Sequence, residues 1–291
     1  MSVRVALAQC APKLGAFDRN MRMHVETIDR ARAAGARIVV FPELSLTGYY
    51  LKDLASDVAC AADDEKLAPL ADASRDIDVL AGFVERTRDG RIHIASGYWS
   101  AGSLTHVHRK VYLPTYGIFD DARYFAAGER FDPFPTAAGQ AGIAICEDAW
   151  HPSTPYLYAI RGATILFYPS ASPGRGVAEG GDLGTAESCR LMDQFYAQYL
   201  TLYVVFVNRV GNEDGIGFWG GSEIVAPDGT VVARAPEFDE YLLFAEMDPA
   251  LALRERARNP ILRDEQHDLV LRHLAERVGL PQGLKEVLDR D

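Results

Sequence analysis

The chain has 291 residues, enough for one large domain or two ordinary ones, and its 48% hydrophobic content supports an extensive core rather than disorder. A formal charge of −11, from 30 basic and 41 acidic residues with no basic cluster, argues against nonspecific binding to nucleic acid or to an anionic membrane. No apolar run approaches the roughly 20 residues of a membrane helix, and the opening MSVRVALAQC lacks the apolar core of a signal peptide, so a cytoplasmic protein is expected.

In chain order, VRVALAQC is predicted to form a buried strand. From Asp18 to Ala34 the apolar residues Met21, Val25, Ile28 and Ala31 recur at helical spacing, and Gly35 is placed to end that helix in the left-handed conformation. ARIVVFPE reads as a second strand, ended by Pro42. A helix over Asp64 to Arg75 leads to VLAGFVER, the turn RDG and RIHIASGYW, a hairpin pattern. A short strand from Leu104 to Arg109 enters the loop LPTYGIFDDARYFAAGERFDPFP, long enough to suggest function, and its Tyr116, Phe119, Tyr124 and Phe125 argue against disorder.

The second half repeats the plan: the strand AGIAIC, a helix over Pro152 to Arg161, and the strand ATILFYPS. A Gly-rich loop, a helix near Thr185 to Tyr199, the strand LYVVFVN and two strands about the PDG turn at 227–229 follow. GARIVVFPE (35–43) and GATILFYPS (162–170) share Gly, Ala, Ile, an aromatic residue and Pro at the same offsets, either as two related βαβ halves or through generic helix-to-strand chemistry. If the halves are related, Glu43 and Ser170 occupy matching strand ends, where α/β sheets bind ligands. No linker or charge block divides the chain, so a single domain over 1–291 is expected. Its tail, from about residue 252, ends in an amphipathic helix with Leu271, Leu274 and Val278 on one side, packed on its own body or on a dimer partner.

Cysteines occur at 10, 60, 146 and 189 with no CxxC pair, so no disulfide framework is expected and each is by default a small core residue. Cys146 raises a question, because the thiolate is the reactive form and the adjacent Glu147 and Asp148 oppose it. Glu43, Lys110 and Cys146 all stand where apolar strands end, and together they would form an acyl-transfer set. In it Glu43 is general base, Lys110 stabilises thiolate and oxyanion by lowering the pKa of a thiol in a partly desolvated site, and Cys146 is nucleophile. Their separations in sequence say nothing of contact. GIGFWG at 215–220 fits a dinucleotide fingerprint but follows no strand, and Cys146, Glu147, Asp148 and His151 lack the second ligand cluster of a metal site. No cofactor is expected. His106 and His108 read as polar residues on one strand face, Tyr116 and Phe119 as loop anchors or pocket residues, and Glu147 as a solvated or functional carboxylate.

FPELSLTGY, HRKVYLP and AICEDAW, in this order, resemble the three signature blocks of the nitrilase superfamily, the carbon-nitrogen hydrolases. The likeness extends from VALAQ through GGSEIVAPDGTVVARA to NPILRD. It implies an α/β four-layer α-β-β-α sandwich, a homodimer or larger assembly, a catalytic triad of Glu43, Lys110 and Cys146, and an oxyanion hole from Lys110 and the Glu147 N–H. TGYYLKDL, LPTYGIFDDARYFAAG, CEDAW and YPSASP are similar to the glutaminase domain of glutamine-dependent NAD synthetases, which implies that Tyr116, Phe119, Glu147 and Ser172 shape the substrate pocket. There are three departures: the synthetase domain is missing from the 291 residues, the loop PGRGVAEGGDLG is unusually Gly-rich, and the second Glu of other branches is Ile118 here. Asp120, Asp121 and Tyr116 are the candidates for that Glu's role. The implied activity is thiol-dependent hydrolysis of a small amide such as glutamine's. Nitrile and N-carbamoyl substrates are alternatives, as is an ammonia-donor or regulatory subunit serving a separate synthetase.

Overall fold

The computed structural model describes residues 2–176 and 183–278. Strand β1 (Val3–Gln9) leads to helix α1 (Phe17–Ala33) and β2 (Ile38–Val40), with Gly35 at φ 80° closing the helix as its position predicts. The expected helix over 64–75 is shorter and broken. A 3-10 turn, Glu65–Leu67, precedes a helix at Ala68–Ala73, because Pro69 is tolerated only in a first helical turn. β3 (Asp78–Arg86) and β4 (Ile92–Ser100) form the predicted hairpin, followed by β5 (Ser103–Arg109). The long loop contains one short helix, Asp121–Tyr124, before β6 (Phe134–Thr136) and β7 (Gly139–Ile143).

A helical turn at Glu147–Trp150 follows, then α2 (Ser153–Ile160), β8 (Ile165–Ser170), α3 (Gly184–Leu200) and β9 (Tyr203–Asn208). The Gly-rich loop lies partly outside the described residues. GIGFWG belongs to an unpredicted hairpin, β10 (Val210–Glu213) and β11 (Ile216–Trp219). Its two turn residues, Asp214 at φ 48° and Gly215 at φ 83°, give the right-handed twist that a two-residue hairpin requires. β12 (Glu223–Val225) and β13 (Val231–Arg234) flank the PDG turn, and β14 (Tyr241–Met247), also unpredicted, returns to pair with β1. Helices α4 (Pro249–Arg258) and α5 (His267–Val278) follow.

Two six-stranded sheets result, ordered β14-β1-β2-β3-β4-β5 and β6-β7-β8-β9-β12-β13. In each, three parallel strands are flanked by antiparallel ones in the same directions. The registers correspond as well: Val5 pairs Ile38 as Ala141 pairs Ile165, and Val40 pairs Leu80 as Phe167 pairs Val205. The sequence similarity of 35–43 to 162–170 is therefore a structural repeat that places β2 and β8 in equivalent positions. One apolar layer, including Val40, Leu80, Phe167 and Val205, fills the space between the sheets. The outer faces pack under α1 on one side and under α2 and α3 on the other, giving the four-layer α-β-β-α sandwich. Within the tail α4 is anchored, since Arg256 donates to the Ala163 carbonyl at 2.6 Å. On α5 the apolar side is turned outward: Leu271, Leu274 and Val278 are all exposed and only Ala275 is buried.

Candidate active site

The site lies where β2, β5, β7 and β8 end. Glu43 follows β2 on a loop that runs very close to β3, and Gly82 makes this possible: a Cβ there would come within 2.3 Å of the Leu44 backbone nitrogen. Cys146 follows β7 at a sharp elbow with φ 47° and ψ −102°, a conformation that non-glycine residues adopt only when their surroundings enforce it. The enforcement is visible. Cys146 donates its N–H to the Pro169 carbonyl at 3.0 Å, and the N–H groups of Asp148 and Ala149 fold back onto the Ile145 and Cys146 carbonyls at 3.0 and 3.1 Å. Gly142 lets the ring of Tyr158 lie against β7, since a Cβ would sit 2.4 Å from that ring.

Glu43 and Lys110 are brought together. Lys110 Nζ donates to Glu43 Oε1 and to Asp121 Oδ2, both at 2.8 Å, with all three side chains buried. Glu43 Oε2 accepts the Ala171 N–H at 3.0 Å, so one carboxylate touches both halves of the repeat. Ser170, the counterpart of Glu43, is buried, and its hydroxyl and the Ala171 N–H face the Cys146 thiol. Asp121 Oδ1 accepts the Tyr49 hydroxyl at 2.7 Å. Of the candidates for the role left vacant at Ile118, Asp121 contacts the lysine; Asp120 is exposed beside Arg123, and Tyr116 bonds elsewhere.

The electrostatics of the three groups are coupled through burial and mutual charge. Burial opposes the charge of Lys110, but Asp121 and Glu43 raise its pKa well above the usual lysine value. Burial raises Glu43 above the carboxylate range against the pull of Lys110. Glu43 and Lys110 are buried, Cys146 is 6% exposed, and the lysine's charge is divided between two carboxylates. Burial and the charge of Glu43 lift the Cys146 thiol above its ordinary pKa, and Lys110 opposes them.

The residues expected around the substrate fall in two groups. Tyr116, 55% exposed, is no core anchor: its hydroxyl donates to Glu147 Oε2 at 2.8 Å, and its ring meets Phe119 edge-on at 5.5 Å. Phe119 also stands edge-on to Tyr49 at 6.4 Å, and the Arg175 guanidinium lies 5.2 Å from its ring centre, a neighbour no sequence signal indicated. Ser172 is tied into the fold: it exchanges backbone bonds with the Asn208 amide at 2.8 and 3.2 Å, and its Oγ accepts the Trp219 N–H at 3.3 Å. The loop bearing Tyr49 is pinned by Glu213, whose Oε2 accepts the Tyr49 and Tyr50 N–H groups at 2.9 Å. His106 stacks on Phe134 with ring centres 4.2 Å apart, while His108 reaches Asp148. Among the described residues no group of three or more His, Cys, Asp or Glu is placed to hold a metal ion, and no helix is long and apolar enough to cross a membrane.

With this fold and site, the class is defined by comparison with known families: residues 4–255 match the family model described as carbon-nitrogen hydrolase, and the chain belongs to that family. A glutamine-dependent NAD(+) synthetase from Acinetobacter baylyi is 30% identical over 85% of this chain and 44% of its own length. An N-carbamoylputrescine amidase from Arabidopsis thaliana is 27% identical over 83% of this chain and 85% of its own. A carbon-nitrogen hydrolase structure from Helicobacter pylori superposes with TM-score 0.85 at 24% identity, covering 94% of this chain and 99% of that one, a likeness of fold. The chain spans about half the length of the synthetases it matches.

Proposed function

We propose that this protein hydrolyses a small amide through a thioester on Cys146. The observation that carries the reading is the buried Glu43–Lys110 pair set beside a thiol on an enforced elbow. As Cys146 Sγ attacks the carbonyl carbon, its proton passes to Glu43, whose raised pKa suits it to receive and return one. Lys110 and the Glu147 N–H, which is left out of the elbow's own hydrogen bonds, stabilise the oxyanion. Collapse expels ammonia or an amine carrying the proton from Glu43. Water, deprotonated by Glu43, then cleaves the thioester, releasing the acid and restoring the thiol. Asp121 keeps the lysine charged and in place throughout.

A side-chain amide such as glutamine's is the leading substrate class, supported by the likeness to relatives named glutamine-dependent NAD(+) synthetase and by the Tyr116–Glu147 pair at the rim. An alternative to free hydrolysis is donation of the released ammonia to a synthetase. The second reading, an N-carbamoyl substrate, is favoured by the likeness to the Arabidopsis amidase over 83% of this chain and 85% of that one. Ammonia release measured across side-chain amides, simple amides, nitriles and N-carbamoyl amines separates them. L-glutamine is expected to give the highest kcat/KM, and a tenfold or larger preference for an N-carbamoyl amine would reverse the order.

A further inference from the structure

Asp148 is fully buried two residues beyond Cys146, and its carboxylate joins the segments that carry Lys110 and Cys146. Oδ1 accepts the N–H groups of Val111 and Tyr112, each at 2.9 Å, directly after Lys110. Oδ2 accepts the Ile145 N–H at 3.0 Å, directly before Cys146, and the Nε2–H of His108 at 2.9 Å. His108 stands two residues before Lys110, so the strand alternation puts both side chains on one face. The Tyr158 hydroxyl lies 3.5 Å from His108 Nδ1 and donates to the Ile143 carbonyl at 2.8 Å, which backs the imidazole against β7. No strand pairing connects the two sheets among the described residues, so this carboxylate is a polar tie between them at the point where thiol and ammonium meet.

We propose that Asp148 and His108 are positioning residues whose buried pair fixes the separation of Lys110 and Cys146 across the two sheets. The proposal rests on Cys146 being the nucleophile. Three backbone N–H groups engage both carboxylate oxygens, and the His108 donor fills the fourth position, tying a β5 side chain as well as the backbone to the same carboxylate. Losing that donor leaves one acceptor position of Oδ2 unsatisfied in buried surroundings, so the carboxylate shifts on its remaining bonds and the register of the elbow against the lysine strand loosens. A misplacement of about 1 Å at a reacting centre costs about 100-fold in rate. A residue that only stabilised the fold would lower the melting temperature without changing the reactivity of Cys146 in the folded protein.

The test is the rate of Cys146 alkylation by iodoacetamide in the full chain, followed by mass across pH, well below each variant's melting temperature. Wild type and His108→Gln, whose amide nitrogen reaches the place of Nε2, are expected to react alike. His108→Leu is expected to react at least about 10-fold more slowly at neutral pH, and to reach its plateau at higher pH, because Lys110 no longer sits to oppose the rise in the thiol. Should His108→Leu fail to fold, His108→Asn, polar but too short to reach Asp148, is expected to show the same slowing. Wild-type rates at every pH in the Leu and Asn variants would overturn the positioning role. A wild-type Cys146 no more reactive than Cys10, Cys60 and Cys189 would instead remove the nucleophile on which the proposal stands.

Discussion

Burial and the charge of Glu43 push the Cys146 thiol above its ordinary pKa, and the same Glu43 is the proposed acceptor of its proton. The pH dependence follows from Glu43. Its pKa is raised, so the carboxylate is lost as pH falls through a value above the ordinary range. The acid limb of kcat/KM is therefore expected above about 4.3, the unperturbed glutamate value, and to disappear with the activity itself in Glu43→Gln. A limb at that ordinary value would show that Glu43 is not the titrating base. Glu43, Lys110 and Cys146 could be grouped from the sequence because each follows a strand inside a signature block, and the fold brings Glu43 and Lys110 into contact. The choice of Asp121 among Asp120, Asp121 and Tyr116, and the work of Asp148, were not legible there. Only the fold shows which aspartate is buried against the ammonium and which faces a row of N–H groups.

At the scale of elements, the repeat was visible because β2 and β8 are central strands buried on both faces, which restricts their residues most. β14 was missed although its residues alternate, since its pairing with β1 spans most of the chain and leaves no local mark. The β10–β11 hairpin was missed because its Asp-Gly turn was overshadowed by the glycine spacing of GIGFWG. Helix α3 and β12 enclose a further unexpected feature. Asp193 is fully buried, and neither of its oxygens has a hydrogen-bond partner among the described residues; Glu223 lies near enough to add its charge. Burial, then Glu223, raise Asp193 well above the carboxylate range against the pull of Arg234. The folded state thus holds a proton that the unfolded chain releases at about 3.9, and this stabilisation is lost as pH rises through the folded value. Asp193→Asn keeps the shape without the charge. It is expected to flatten the decline of melting temperature with rising pH; a decline parallel to wild type between pH 5 and 9 would contradict the assignment.

At the scale of the molecule, the monomer leaves an apolar face uncovered. Leu191, Phe195 and Tyr199 recur along α3 at 71%, 52% and 45% exposure, beside a cavity of about 300 Å³ lined by Pro152, Tyr156 and Tyr196. Large contiguous apolar patches are uncommon on monomers, and a twofold axis would let this helix face pack against its own copy. We propose that a second copy covers it. Sedimentation at micromolar concentration is expected to give a dimer or larger species, and Phe195→Glu to shift it toward monomer with little change in melting temperature. A monomeric wild type would contradict the proposal.

The central claim is that a carbon-nitrogen substrate becomes a thioester on Cys146 with Glu43 moving the protons. Intact mass of the wild type, acid-quenched during turnover of L-glutamine or a simple amide, tests it most directly. The account predicts an added mass equal to the acyl group, located on the peptide containing Cys146 and lost in Cys146→Ala. An adduct on another cysteine, or ammonia release that persists in Cys146→Ala, would contradict it.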